Sequence, residues 1–256
     1  MVHSETSTAT VSDVQGIGKV TRERGALLLV DGITSVGAIP VKMDDWGIDV
    51  LIGGSQKAFM LPAGISFISF SKKAWHLVET STSPRYYFDV RREKSANKNG
   101  ESHFSSAVPH IKALDLVLRA VLKAGVSHLH ERIQSLAKAT NLACREMGLA
   151  MVPEVPSPSL SVVRMPASVD SQLIRTNMET RDGIVVMGGQ DKFKGKIIRI
   201  GHMGAISNTD IVKTLDSLAR SINLQLPETI AEAKIQTALN IAEMTLATSS
   251  PLSFQN

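Results

Sequence analysis

Cysteine occurs once in the 256 residues, at Cys144. A disulfide framework and any multi-cysteine zinc or iron–sulfur centre are therefore excluded. No apolar run reaches the ~18 residues of a membrane-spanning helix, so no membrane association is expected. The opening MVHSETSTAT has neither an apolar signal core nor an Arg-rich amphipathic pattern, and the expected location is the cytoplasm. Aromatic residues are scarce at 4%, and charge is nearly balanced, with Lys+Arg 28 against Asp+Glu 24 for a net +4. The basic residues are scattered, so a nucleic-acid partner is not expected despite a pI near 9.2. What is present is a globular composition, 43% hydrophobic and 20% charged, which excludes intrinsic disorder, a collagen-like chain and a coiled coil. The length suits one large domain or two small ones.

The first half alternates helix-like and strand-like patterns. A helix over 11–24 leads into the apolar run at 26–30, which stops at Asp31-Gly32. A second run, 48–52, stops at Gly53-Gly54, and a third, 65–70, follows Pro62-Ala63-Gly64. Short apolar runs closed by Gly or Pro predict buried strands of a largely parallel sheet. Residues 83–106 turn polar and basic and read as an exposed excursion, followed by a helix over 108–123 that Gly125 ends. The second half reads as an α+β block: helix 127–147, strand 159–165, helix 168–181, strands 184–187 and 196–201, and helix 208–223. Ser207 and Asp210 supply a capping start for the last of these. A helix over 228–246 ends in a Ser/Thr-rich tail expected to fray. The expected boundary lies near residue 125. Cys144, Met151, Met165 and Met187 are expected in the core.

Two ionisable groups fall at strand ends: Asp31 closes LLLVD, and Lys57 lies in Gly53-Gly54-Ser55-Gln56-Lys57. Ligands of open α/β sheets bind outside the carboxyl ends of the strands. From spacing alone a functional pair, a salt bridge and two solvated loop charges all fit. A lysine and a carboxylate in one crevice suit pyridoxal 5′-phosphate (PLP), which needs an amine for a Schiff base and an acid for its pyridine nitrogen. Gln56 is placed to hydrogen-bond the ring hydroxyl. Arg199, inside Ile197-Ile198-Arg199-Ile200, is poorly placed for a solvated charge; a carboxylate clamp or a structural ion pair would hold it there.

HSETST (3–8), LLLVDGITSVGAIPVKMDDWGIDVLIGGSQKAFMLPAGISFISFSKKAW (27–75) and GGQDKFKGKIIRIGHMG (188–204) resemble class V aminotransferases. Within that family they are similar to the alanine/serine–glyoxylate aminotransferases and to sequences labelled as a soluble hydrogenase subunit. The resemblance implies an α/β chain of PLP fold type I. Residues 1–125 would be the remaining part of the large PLP-binding domain, and 126–256 a small C-terminal domain with a helical tail. It implies Lys57 as the Schiff-base lysine, Asp31 as the partner of the pyridine nitrogen and Gln56 as the ring-hydroxyl contact. Thr6 and Ile33 would touch the ring, and Arg199 would clamp the substrate α-carboxylate. In relatives a neighbouring subunit reaches the phosphate from the segment matching 104–109; Phe104 has no hydroxyl, which leaves Ser105 as the donor in a homodimer of the full-length protein. Ala9 and Thr10 replace the glycine turn that follows HSETST in relatives. Family members also carry a front stretch with early strands, a phosphate turn and a ring-stacking aromatic. Met1 to His3 would begin in the last residues of a strand, and the 256 residues alone are expected to be nearly inactive.

The expected reaction is transamination between serine or alanine and a 2-oxo acid such as glyoxylate. The alternatives are another class V PLP reaction of lyase type, or a non-catalytic fragment or interaction module of the same fold. Some relatives are peroxisomal, but no targeting signal is seen here. Other motifs fail: Gly16-Ile17-Gly18 lacks the third glycine of a dinucleotide fingerprint, and Gly188 to Lys196 lacks the Ser/Thr of a phosphate loop. His128 and His130 have no carboxylate set beside them, so no metal is expected, and a hydrogenase would need metal centres that one cysteine cannot hold.

Overall fold

A computed structural model describes residues 1–254. The chain starts extended, alongside the strand that ends in Asp31: the Asp31 N–H donates to the Met1 carbonyl at 2.9 Å, and the His3 N–H to the Asp31 carbonyl at 3.0 Å. The short strands β1 (Ser4–Glu5) and β2 (Thr10–Val11) then pair antiparallel across a turn in which Ala9 is buried at a φ of 59°. Helix α1 (Val14–Glu23) begins one turn later than the pattern predicts, because the Asp13 carboxylate accepts the Gly16 N–H at 2.8 Å and sets the start.

β3 (Leu29–Asp31), α2 (Met43–Trp46), β4 (Val50–Gly54) and β5 (Ser66–Phe70) follow, with the strands in the order β3-β4-β5. β3 and β4 are parallel and place Asp31 opposite Ile52. β5 runs antiparallel to β4, so this sheet is mixed rather than largely parallel. Only eleven residues, 55–65, join β4 to β5, whereas a parallel crossover needs about a dozen or more and usually a helix. β3 and β4 also start later than the apolar runs. Asp49 explains part of this: its carboxylate accepts the Leu28 N–H at 3.0 Å and the Ser71 hydroxyl at 2.7 Å, tying off the strand entrances. Val14, Leu28, Val30 and Ile48 form the core beneath, while Leu29 is 50% exposed.

α3 (Lys72–Thr80) is capped by Ser71, and α4 (Val90–Asn97) by Asp89. The predicted excursion at 83–106 therefore contains a helix. Its Asp89 is buried against Arg91 at 2.7 Å, while Tyr86, Tyr87 and Phe88 stand exposed. α5 (Val108–Ala124) and α6 (Val126–Glu146) share one junction residue, Gly125, whose φ of 90° suits glycine.

The second sheet is built from β6 (Leu160–Arg164), β7 (Met187–Gly188) and β8 (Ile197–Gly201), antiparallel in the order β6-β8-β7. α7 (Ser171–Asp182) starts after its cap Asp170 rather than at 168. β7 keeps only two ladder residues, and Met187 is 54% exposed, not core. α8 (Asn208–Gln225) carries the predicted Ser207/Asp210 capping box, and α9 (Glu232–Leu246) completes the block. Ala139 and Ala143 of α6 and Ala238 and Ala242 of α9 are fully buried in one cluster with Leu136, Cys144, Val163, Ile198, Leu215, Leu218 and Ile222. Small residues on both helices let their backbones approach closely. The tail is not frayed throughout: the Ser249 hydroxyl accepts from Arg132 at 3.0 Å, and Leu252 packs on the cluster around Leu129 and Ile133.

Candidate active site

The parallel pair β3–β4 brings two loops to one sheet edge. Asp31, the last residue of β3, is partly buried, and its Oδ1 accepts the Ile33 N–H at 2.9 Å, which orders the turn that presents Ile33. Beyond β4 the chain enters a turn organised by Ser55, whose every polar group is used. Its N–H donates to the Ile65 carbonyl (3.0 Å), its carbonyl accepts from the Leu61 N–H (3.1 Å), and its hydroxyl donates to the Pro62 carbonyl (2.9 Å) and accepts from the Ile65 N–H (3.3 Å). Gln56 and Lys57 ride on this turn. The Gln56 amide folds over Gly54, where a Cβ would lie 2.8 Å from its Oε1. Among the described residues the Lys57 amine has no hydrogen bond or ion pair, and no ion pair joins it to Asp31. Of the readings that spacing left open, the salt bridge drops out.

The HSETST segment ties this edge to the second sheet. The Ser4 hydroxyl donates to Ser157 at 2.8 Å and lies 3.1 Å from Ser159, while its carbonyl accepts from Thr34 beyond β3. The Glu5 carboxylate accepts both the N–H (2.8 Å) and the hydroxyl (2.7 Å) of Ser7; these bonds hold its carboxyl below the usual range. The turn so fixed offers the Thr6 carbonyl to Arg199, whose Nη1 donates at 3.1 Å and whose Nε donates to the Gly188 carbonyl at 2.8 Å. Arg199 is 7% exposed. Burial lowers its pKa, the like charge of Arg175 adds to this, and Glu5 opposes it. No ion pair to Arg199 exists among the described residues, so the structural ion pair also drops out, and Nη2 makes no hydrogen bond.

The structure thus groups Asp31, Ile33, Gln56 and Lys57 at one edge and joins Thr6 to Arg199, but through the Thr6 backbone rather than its hydroxyl. Ser105 is exposed, and no hydrogen bond links it to the others; its neighbour Phe104 stacks on Tyr87 with ring centroids 3.9 Å apart. Sequence reasoning missed Ser55, Glu5 and the Gly188 carbonyl. Only Ser55 carries a legible signal, a small hydroxyl between two glycines and the Gln-Lys pair. Cys144 is buried, and burial pushes its thiol up to about 12, so it is no nucleophile.

A family model described as aminotransferase class-V matches residues 1–204. The chain belongs to the class V aminotransferases. It is 36% identical over 221 residues to the soluble hydrogenase small subunit of a Synechococcus species, covering 85% of this chain and 57% of that protein. It is 31% identical over 232 residues to serine–glyoxylate aminotransferase of Methylorubrum extorquens, covering 87% and 58%. The solved ureidoglycine–glyoxylate aminotransferase of Bacillus subtilis superposes with a TM-score of 0.88 at 28% identity, over 95% of this chain and 64% of that one. This class V aminotransferase chain therefore has the α/β architecture of PLP fold type I and spans little more than half the length of the curated relatives it matches. The family uses PLP, and the residues present fit it: an amine unpartnered among the described residues, a carboxylate on the adjacent parallel strand and an amide beside the amine are the nucleophile, acceptor and hydrogen-bonding group that its aldehyde, protonated ring nitrogen and ring hydroxyl require. Among the described residues no helix is long and apolar enough to cross a membrane.

Proposed function

We propose that this chain supplies the lysine, ring-nitrogen acid and substrate clamp for PLP-dependent amino transfer between serine or alanine and a 2-oxo acid such as glyoxylate. The observation that carries the reading is Arg199: a buried guanidinium, fixed by two backbone carbonyls, with no acid partner among the described residues. Glu5 acts on it without forming an ion pair, and a substrate α-carboxylate would supply the direct partner, two-point pairing orienting the substrate. When bound, PLP supplies an aldehyde that amines attack and a ring that accepts the electron pair left on the substrate carbon. Lys57 Nζ, without a partner among the described residues, would hold that aldehyde at rest and would then take up and return the substrate proton. Asp31 would hold a proton on the ring nitrogen with the oxygen that the Ile33 N–H leaves free. Ile33 would cover one ring face, Gln56 would hold the ring hydroxyl, and Thr6 would add a polar contact. In a homodimer of the full-length protein Ser105 would reach the partner's cofactor phosphate. We place the domain division at Gly125 and the protein in the cytoplasm.

The test is to incubate the full-length protein with PLP, reduce with borohydride, map the modified peptide and assay glycine formation from glyoxylate with serine or alanine. Label on the Lys57 peptide and loss of both signals in Lys57→Ala are expected. Label on another lysine, or no PLP uptake, would overturn the reading.

A further inference from the structure

A second buried arginine also has no acid partner among the described residues. Arg132 of α6 is 5% exposed. Its Nη1 donates to Asn208 Oδ1 and to the Ser249 hydroxyl, and its Nη2 to the Ile206 carbonyl at 2.8 Å, all neutral acceptors. Its Nε–H makes no hydrogen bond among the described residues. A guanidinium taken out of water without a counter-ion is costly, and this one lines a cavity of about 100 Å³. That volume holds several waters or a molecule of a few carbons. The walls are largely apolar, from Met60, Ile206, Leu252 and Phe254, and the start of α8 at Ser207 adds its positive helix end.

His202, a second ionisable group on the wall beside Arg132, is fully buried. The Ser161 hydroxyl spends its proton on Asn141 Oδ1, so its oxygen accepts from His202 Nε2, 2.8 Å away. That relay fixes the proton on Nε2 and leaves Nδ1 a bare acceptor. Burial lowers the imidazole pKa to about 3, so the ring is neutral. Nδ1 is buried and has no donor among the described residues.

We propose that this cavity binds a small hydroxy-carboxylate, with its carboxylate on Arg132 and its hydroxyl donating to His202 Nδ1. The site is separate from Arg199, and the tail closes it, since Ser249 ties the tail to Arg132 and carries Leu252 and Phe254 across the opening. Neither group needs PLP, so the proposal stands independently of the amino-transfer reading.

The test is thermal unfolding of the protein, at constant ionic strength, with 3-hydroxybutyrate, butyrate or 1,3-butanediol. These share a chain length and differ in which polar group is present. A saturable rise in Tm is expected for 3-hydroxybutyrate, at concentrations several-fold below those butyrate needs, and none for the diol. Arg132→Met should lose the response. Leu252→Trp, which leaves every Arg132 hydrogen bond in place and fills the cavity from the tail, should keep the native Tm within a few degrees and lose it too. The proposal fails if no saturable shift occurs, if the diol or butyrate matches 3-hydroxybutyrate, or if Leu252→Trp responds like the parent protein.

Discussion

Arg199 and Thr6 lie 193 residues apart and meet through one hydrogen bond, guanidinium Nη1 to backbone carbonyl, at 3.1 Å. Through it the last inner strand of the second sheet holds the turn that opens the chain. The same side chain is thus both a fastener and the proposed substrate clamp, and the two roles separate under substitution.

Arg199→Lys keeps the charge but has one ammonium where the fork met two carbonyls. We expect a loss of about 1–3 kcal/mol in urea unfolding, the scale for buried acceptors left unpaired. In the full-length protein Arg199→Ala should raise the amino-acid KM strongly and cost roughly 2–5 kcal/mol in kcat/KM, while PLP affinity changes little. Equal damage to PLP affinity would leave only the fastener role.

Asp31→Asn retains an oxygen for the Ile33 N–H, so the unfolding midpoint should hardly move. Turnover in the full-length protein should fall by orders of magnitude, because a neutral amide does not keep the ring nitrogen protonated. Near-normal turnover would remove Asp31 from the reaction.

Ser55→Ala strips a buried acceptor, the Pro62 carbonyl, of its donor and the Ile65 N–H of its acceptor. A cost of about 1–3 kcal/mol is expected. Hydrogen exchange should speed up at 56–65 before it does in β4, and borohydride trapping on Lys57 should slow. Unchanged exchange would show that the turn holds itself.

His202 sets a pH dependence. Its ordinary pKa of 6.5 drops to about 3 in the fold because burial disfavours the charged ring. Above pH 6.5 it is neutral folded or unfolded and adds no slope. Between 6.5 and about 3 only the unfolded chain takes up the proton, so stability falls as pH falls, with a slope approaching ~1.4 kcal/mol per pH unit. In carboxylate-free buffer His202→Gln should flatten that slope relative to the parent; identical slopes would assign the acid loss to other groups.

The sequence made some of this legible because the signals were local. Asp31 and Lys57 each follow an apolar run closed by glycine, and Arg199 betrays itself as a charge inside an isoleucine run. Ser207 and Asp210 sit at capping distance, and the structure has that box. What stayed hidden depends on partners far along the chain. The reversal of β5 is set by the shortness of the 55–65 connection, since the run 65–70 is equally apolar in either direction. Asp49 delays the start of two strands by capturing Leu28 and Ser71. The tail is held because Ser249 meets Arg132, 117 positions away, a contact that no periodicity announces.

The Ser55 bonds close the turn that carries Lys57 into a ring, pinned at its neck on both sides. Loss of backbone freedom is then settled at folding rather than at each chemical encounter. The amine explores only the space swept by its own four methylenes, so its effective concentration at the sheet edge is high. In the proposed amino transfer Lys57 would therefore move by rotation of its own side chain, with the loop beneath it standing still.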